Sequence, residues 1–138
     1  MFSLLKSKDI RSWCLFDFGI SSYPTLIITF FYGAFYAKKI ATSPTLGTSL
    51  WGFTLSSASI ISFLLFSIIL LSGKYSGSRF SVSLFRKFFY TMILFTFGLV
   101  LFDEGSNQIA PLFFIVISFV SFEFVNFFYN VSLYKIKK

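Results

Sequence analysis

The sequence predicts an all-α membrane protein: four transmembrane helices, antiparallel neighbours, both termini cytoplasmic, in one transmembrane domain over 1–138. Three observations carry this. Of 138 residues, 56% are apolar and only 12% are charged, where a soluble domain carries about 25% charged residues. The mean hydropathy is +0.81. The apolar residues gather into stretches at about 13–37, 50–71, 84–102 and 109–134, each close to the ~20 residues that cross a bilayer core.

The first stretch, Trp13 to Tyr36, is nearly free of charge yet holds Asp17, then Ser21, Ser22 and Pro24. An acid inside a span costs several kcal/mol, so it marks a position with a purpose. Pro24 predicts a kink. The second stretch has no charge at all. It pairs Gly52 with Ser56 and Ala58 with Ser62, the small-residue spacing that lets helices pack closely. The third is cleanest from Phe88 to Phe102, about 22 Å of helix. Leu84 and Phe85 extend it behind Arg86 and Lys87, whose long side chains can snorkel to the headgroups. The fourth contains Glu123. Trp13, Trp51 and Tyr134 stand at predicted interfaces, where aromatic rings concentrate. Every connection is short, which makes sequential helices antiparallel neighbours.

Basic residues set the orientation. Lys6, Lys8 and Arg11 precede the first span; Lys74, Arg79, Arg86 and Lys87 lie around the loop between spans two and three; Lys135, Lys137 and Lys138 end the chain. Only Lys38 and Lys39 fall on the other side. Ten against two, with an even number of spans, places both termini in the cytoplasm and points to a cell membrane, the bacterial inner membrane in the first instance.

The same residues exclude several classes. The net charge of +7 faces anionic lipid rather than nucleic acid, since no soluble basic domain exists to carry it. Cys14 is the single cysteine and histidine is absent, which removes disulfides, thiolate metal sites and histidine-based catalysis. No cofactor is expected, and no enzyme. A cleaved signal peptide is not expected either, because the first span is too long and further spans follow. The loop from Ser72 to Arg79 lacks phosphate-loop spacing. Asp103 and Glu104 read as a solvated loop. The glycosylation sequon at Asn130 to Ser132 falls at a cytoplasmic end and is set aside.

Polar residues inside the spans are the candidate site. Asp17, Ser21 and Thr25 are spaced four apart on one helical face; Glu123, Asn126 and Asn130 form a second stripe. Lipid offers such groups no partners, so both faces turn inward. Asp17 lies about one turn inside the inner interface, and Glu123 about 16 Å from the inner end of its span. One reading is a proton or cation relay, or a substrate contact. The other is a hydrogen bond that orients two helices, or an acid held protonated. Glu123, the deeper, is the stronger candidate for chemistry.

These residues also carry a resemblance. Trp13-Cys14-Leu15-Phe16-Asp17-Phe18 with Ser21 and Ser22 resembles the opening of the vacuole-effluxer-like branch of the major facilitator superfamily, which includes autophagy-related amino-acid effluxers and bacterial relatives. Trp51-Gly52 resembles the start of its second helix; Glu123 and Phe128-Tyr129-Asn130 resemble its fourth. The resemblance covers essentially the whole chain and implies the first four helices of a twelve-helix secondary transporter that moves a small solute by alternating access. The sequence departs from the pattern in two ways. The loop motif between helices two and three is eroded, with Tyr75 and Ser76 where an aspartate and an arginine are expected ahead of Gly77 and Arg79. The chain also ends after four spans, so it is expected to be inactive alone: either it joins a separately encoded remainder, or associates with itself, or it is a decayed gene product. Two rival readings stand beside this one: a small four-helix proton-coupled multidrug exporter acting as a dimer, and a non-transporting membrane accessory subunit.

Overall fold

A computed structural model of the chain describes residues 8–71 and 78–136. Lys6, Lys74, Lys137, Lys138 and the loop motif at 72–77 lie outside the described residues. Among those residues every regular element is helical. Four segments are long and apolar enough to cross a membrane: Cys14–Ile40, Pro44–Leu71, Val82–Leu101 and Ala110–Asn130. The chain is a multi-pass membrane protein, and these segments are called spans one to four below.

Span one is a composite. An α-helix over Lys8–Tyr23 gives way at Pro24 to a π-helical segment, Pro24–Phe30, and after a short α-turn, Tyr32–Phe35, a second π-segment covers Tyr36–Ile40. The wide register shows in five-residue hydrogen bonds: the Phe31 amide donates to Leu26 O (2.8 Å), the Ala41 amide to Tyr36 O (2.9 Å) and the Thr29 hydroxyl to Pro24 O (3.0 Å). Proline has no amide proton to continue the α-ladder. The expected disturbance at Pro24 is therefore a change of helical register.

Span two begins at Pro44, earlier than the position near 50 that hydropathy suggests. Proline suits the first helical turn, and the preceding Ser43 hydroxyl accepts the Leu46 amide (3.3 Å) as an amino-terminal cap. Trp51 therefore does not open the span. It lies two turns inside, 9% exposed, and its indole N–H donates to Ile28 O in the first π-segment (3.2 Å).

Span four is the hub. Half of its apolar window is buried, against 11–17% for the other three spans. At the end away from the termini, Leu112 and Ile115 pack with Tyr36 and Ile40 of span one and Trp51 of span two. Further along, Phe122 and Val125 meet Ile20 and Tyr23 of span one and Met92 of span three. On the span-two side, Val120, Phe124 and Phe128 pack around Ala58. Phe124 is held between Phe66 and Phe88, with ring centroids 4.2 and 4.3 Å away. The outward faces carry large apolar side chains such as Phe18, Phe53, Phe97 and Val100, each at least 75% exposed. Such a belt suits hydrocarbon rather than water.

Of the two small-residue pairs expected to pack, only one does. Ala58 and Ser62 are 0% and 3% exposed in the seam with span four, whereas Gly52 has open space where a Cβ would stand and Ser56 is exposed. The small residue that permits close approach is Gly47. A Cβ there would lie 2.7 Å from Ala37 Cα and 2.7 Å from Ala41 Cβ, so spans one and two touch backbone to backbone.

A hydroxyl node ties three spans together in the interior. Tyr23 Oη lies 2.7 Å from Ser118 Oγ, which lies 2.8 Å from Thr96 Oγ1. Such bonds in membrane proteins average about 0.6 kcal/mol in double-mutant cycles. Tyr23→Phe is expected to destabilise the bundle by about that amount, with most of the loss absent in a Ser118→Ala background. Unfolding in mixed micelles over the four-variant cycle measures it.

At the far end, the loop with Asp103 and Glu104 is not merely solvated. Glu104 forms an ion pair with Lys39 at the end of span one. Both side chains are more than half exposed, and exposed pairs contribute little. Thermal melting of Glu104→Gln at physiological salt is expected to match that of the wild type.

Candidate functional site: a polar cavity between spans one, two and four

Spans one and two meet closely at Gly47 and Trp51, but toward the termini they stand apart. There an open cavity of about 420 Å³ is lined by Asp17 from span one, Phe66 from span two, and Glu123, Asn126, Phe127, Tyr129 and Asn130 from span four. The fourth span turns its apolar residues toward its neighbours on three sides. Its polar stripe at i, i+3 and i+7 is left facing the gap between spans one and two.

Four of the five candidate residues are thus brought together: Asp17, Glu123, Asn126 and Asn130 line one cavity. Ser21 does not join them. Its hydroxyl donates to Asp17 O (2.7 Å), one turn back in its own helix, and Thr25 does the same to Ser21 O (3.3 Å). Hydroxyls in a lipid-facing helix commonly satisfy themselves this way. The stripe on span one therefore reduces, at the cavity, to Asp17.

The two acids differ in their surroundings. Asp17 is hydrogen-bonded by the Tyr129 hydroxyl across the span one–span four contact. Tyr129 is itself 7% exposed and its ring lies 5.0 Å from that of Phe16. Glu123 is half-buried and faces the cavity without a hydrogen bond or ion pair to any described side chain. Asn126 is half-buried and Asn130 exposed, one and two turns nearer the terminal end. Together these groups offer two carboxyls and two carboxamides on an aromatic wall. That set can accept protons or hydrogen bonds, and no lysine or arginine among the described residues lines it.

Sequence reasoning missed the aromatic wall. Phe66 and Phe127 lie in runs of phenylalanine that look alike along the chain, and nothing local separates a cavity-facing ring from a lipid-facing one. Among the described residues there is also a hollow of about 520 Å³ beside Thr29, Gly33, Lys38 and Trp51 and another of about 360 Å³ beside Tyr32, Thr96 and Asp103. Neither gathers more than one charged side chain. Among the described residues, no three His, Cys, Asp or Glu side chains cluster as a metal site would require. No protein-family model matches the chain, and neither a curated protein nor a solved structure does.

Proposed function

We propose that this chain is the amino-terminal, four-span part of a secondary transporter resembling the major facilitator superfamily, and that its cavity lies on the path of a small solute and a coupling proton. The observation that supports this best is the convergence of Asp17 and Glu123, distant in sequence, on one open cavity within membrane-spanning segments. Acids within membrane-spanning segments mark transport or proton pathways more often than surface decoration. Transporter sites sit near the midplane at junctions of helices.

The roles divide. Asp17, held by Tyr129, positions spans one and four against each other, as it would in an accessory subunit. Glu123 has no such partner among the described residues and is the proton-exchanging group. The ten-to-two basic bias places both termini, and with them the cavity mouth, on the cytoplasmic side of a cell membrane, the bacterial inner membrane. The cavity then takes its solute from the cytoplasm, in keeping with efflux.

Inside-out membrane vesicles from cells with and without the gene provide the test, because any companion helices are present in them. The vesicles are acidified inside by respiration, and a quenched acridine dye reports the pH difference. Addition of mixed amino acids, or of quaternary ammonium ions that have no membrane-permeant free base, is expected to release protons, and restore fluorescence, only where the chain is present. Identical traces from both strains would remove the transport reading and leave the accessory-subunit reading in its place.

A further inference from the structure

We propose that the cavity between spans one, two and four binds an organic ammonium ion; the inference rests on the transport reading and names its solute class. The lining chemistry is asymmetric. Two carboxyls face the space, two carboxamide oxygens are at hand to accept N–H donors, and no cationic side chain among the described residues lines it. Two carboxylates lining one cavity repel each other as anions, and a cation bound in that cavity relieves the repulsion.

The aromatic wall narrows the class. Phe66 and Phe127 form a corner, with centroids 4.8 Å apart and planes inclined by 49°, and both line the cavity. Aromatic faces attract alkylammonium groups within about 6 Å. They supply no ligand to a calcium ion, which takes about six to eight oxygens. The volume of about 420 Å³ fits a small organic molecule, since such pockets run from about 300 to 1,000 Å³. A carboxylate on the ligand would find no cation to meet, so amines without one are favoured over zwitterions. A free amine and the ammonium headgroup of phosphatidylethanolamine present the same chemistry to such a cavity.

Calorimetry on the full chain in lipid nanodiscs tests this. In phosphatidylglycerol discs at pH 7, phenethylamine is expected to bind at least tenfold more tightly than its neutral isostere 2-phenylethanol, with phenylacetate weaker still. Glu123→Gln is expected to weaken phenethylamine at least tenfold, Phe66→Ala several-fold, and Asp103→Asn at the far end not at all. Circular dichroism verifies that each variant keeps its helicity. In discs containing phosphatidylethanolamine, a tenfold loss of apparent amine affinity would identify the lipid headgroup as the occupant, and unchanged affinity the free amine; either result sustains an ammonium site. Equal binding of the amine and the alcohol, or full affinity in a folded Glu123→Gln protein, would overturn the proposal. Amine binding without vesicle flux would remove the transport reading alone. Flux of amino acids without amine binding would remove this inference alone.

Discussion

Glu123→Gln is expected to lower solute-dependent proton release in inside-out vesicles on the order of 100-fold, the scale set by removing a proton-transferring group. The chain should still reach the membrane at the wild-type level, read by immunoblot. The substitution keeps volume and hydrogen-bonding capacity and removes only the ability to gain and lose a proton. Because glutamine is nearly isosteric with the glutamate that lines the cavity, packing is preserved. Asp17→Asn offers the contrast: its partner is Tyr129, so a carboxamide there can still accept the hydroxyl and hold spans one and four in register. A residual flux well above that of Glu123→Gln is expected. If both variants keep full flux, the acids serve packing alone.

The largest loss of stability is expected from Gly47→Leu, about 2–3 kcal/mol in mixed-micelle unfolding, because an overpacked seam must open or strain. The atoms in the way are Ala37 Cα and Ala41 Cβ, backbone and first side-chain atoms that no rotamer change can move. Spans one and two would separate at the end where they now touch, and the Trp51 bond to Ile28 O would be drawn apart with them. Gly52→Leu is the matched control: the same change five residues on meets open space and is expected to leave the unfolding midpoint unchanged. Equal losses at both positions would mean that the seam runs elsewhere.

The contrast between Gly47 and Gly52 illustrates how much the sequence can say about packing. Both are glycines in the same apolar helix, and Gly52 has the better motif, with Ser56 one turn on. Helical periodicity says which residues share a face but not what the face meets. The same limit applied to the polar stripes. Spacing put Glu123, Asn126 and Asn130 in line, and the structure aims that line at a cavity. Identical reasoning put Ser21 and Thr25 in line with Asp17, yet both hydroxyls bond to their own helix. Its place at the edge of a hydropathy window makes Trp51 look like an interface residue. The Ser43-Pro44 start signal moves the helix end outward and leaves Trp51 inside.

What the sequence determined by itself was the class of molecule: four apolar helices, since within a bilayer a single apolar segment satisfies its own backbone polar groups only as a helix and each span need only be long and apolar enough. Those are sums over neighbouring residues, so they are legible in one dimension. Tertiary structure alone decided which span is the hub, where Pro24 turns the helix to a wider register, and that residues about a hundred positions apart, Asp17 and Glu123, share one cavity walled by Phe66, Phe127 and Tyr129. Those depend on how three helices close around a fourth and where they fail to close. In lipid, that arrangement is selected by shape and by hydrogen bonds between spans rather than by apolarity, which the surrounding acyl chains supply as well as a neighbouring helix does.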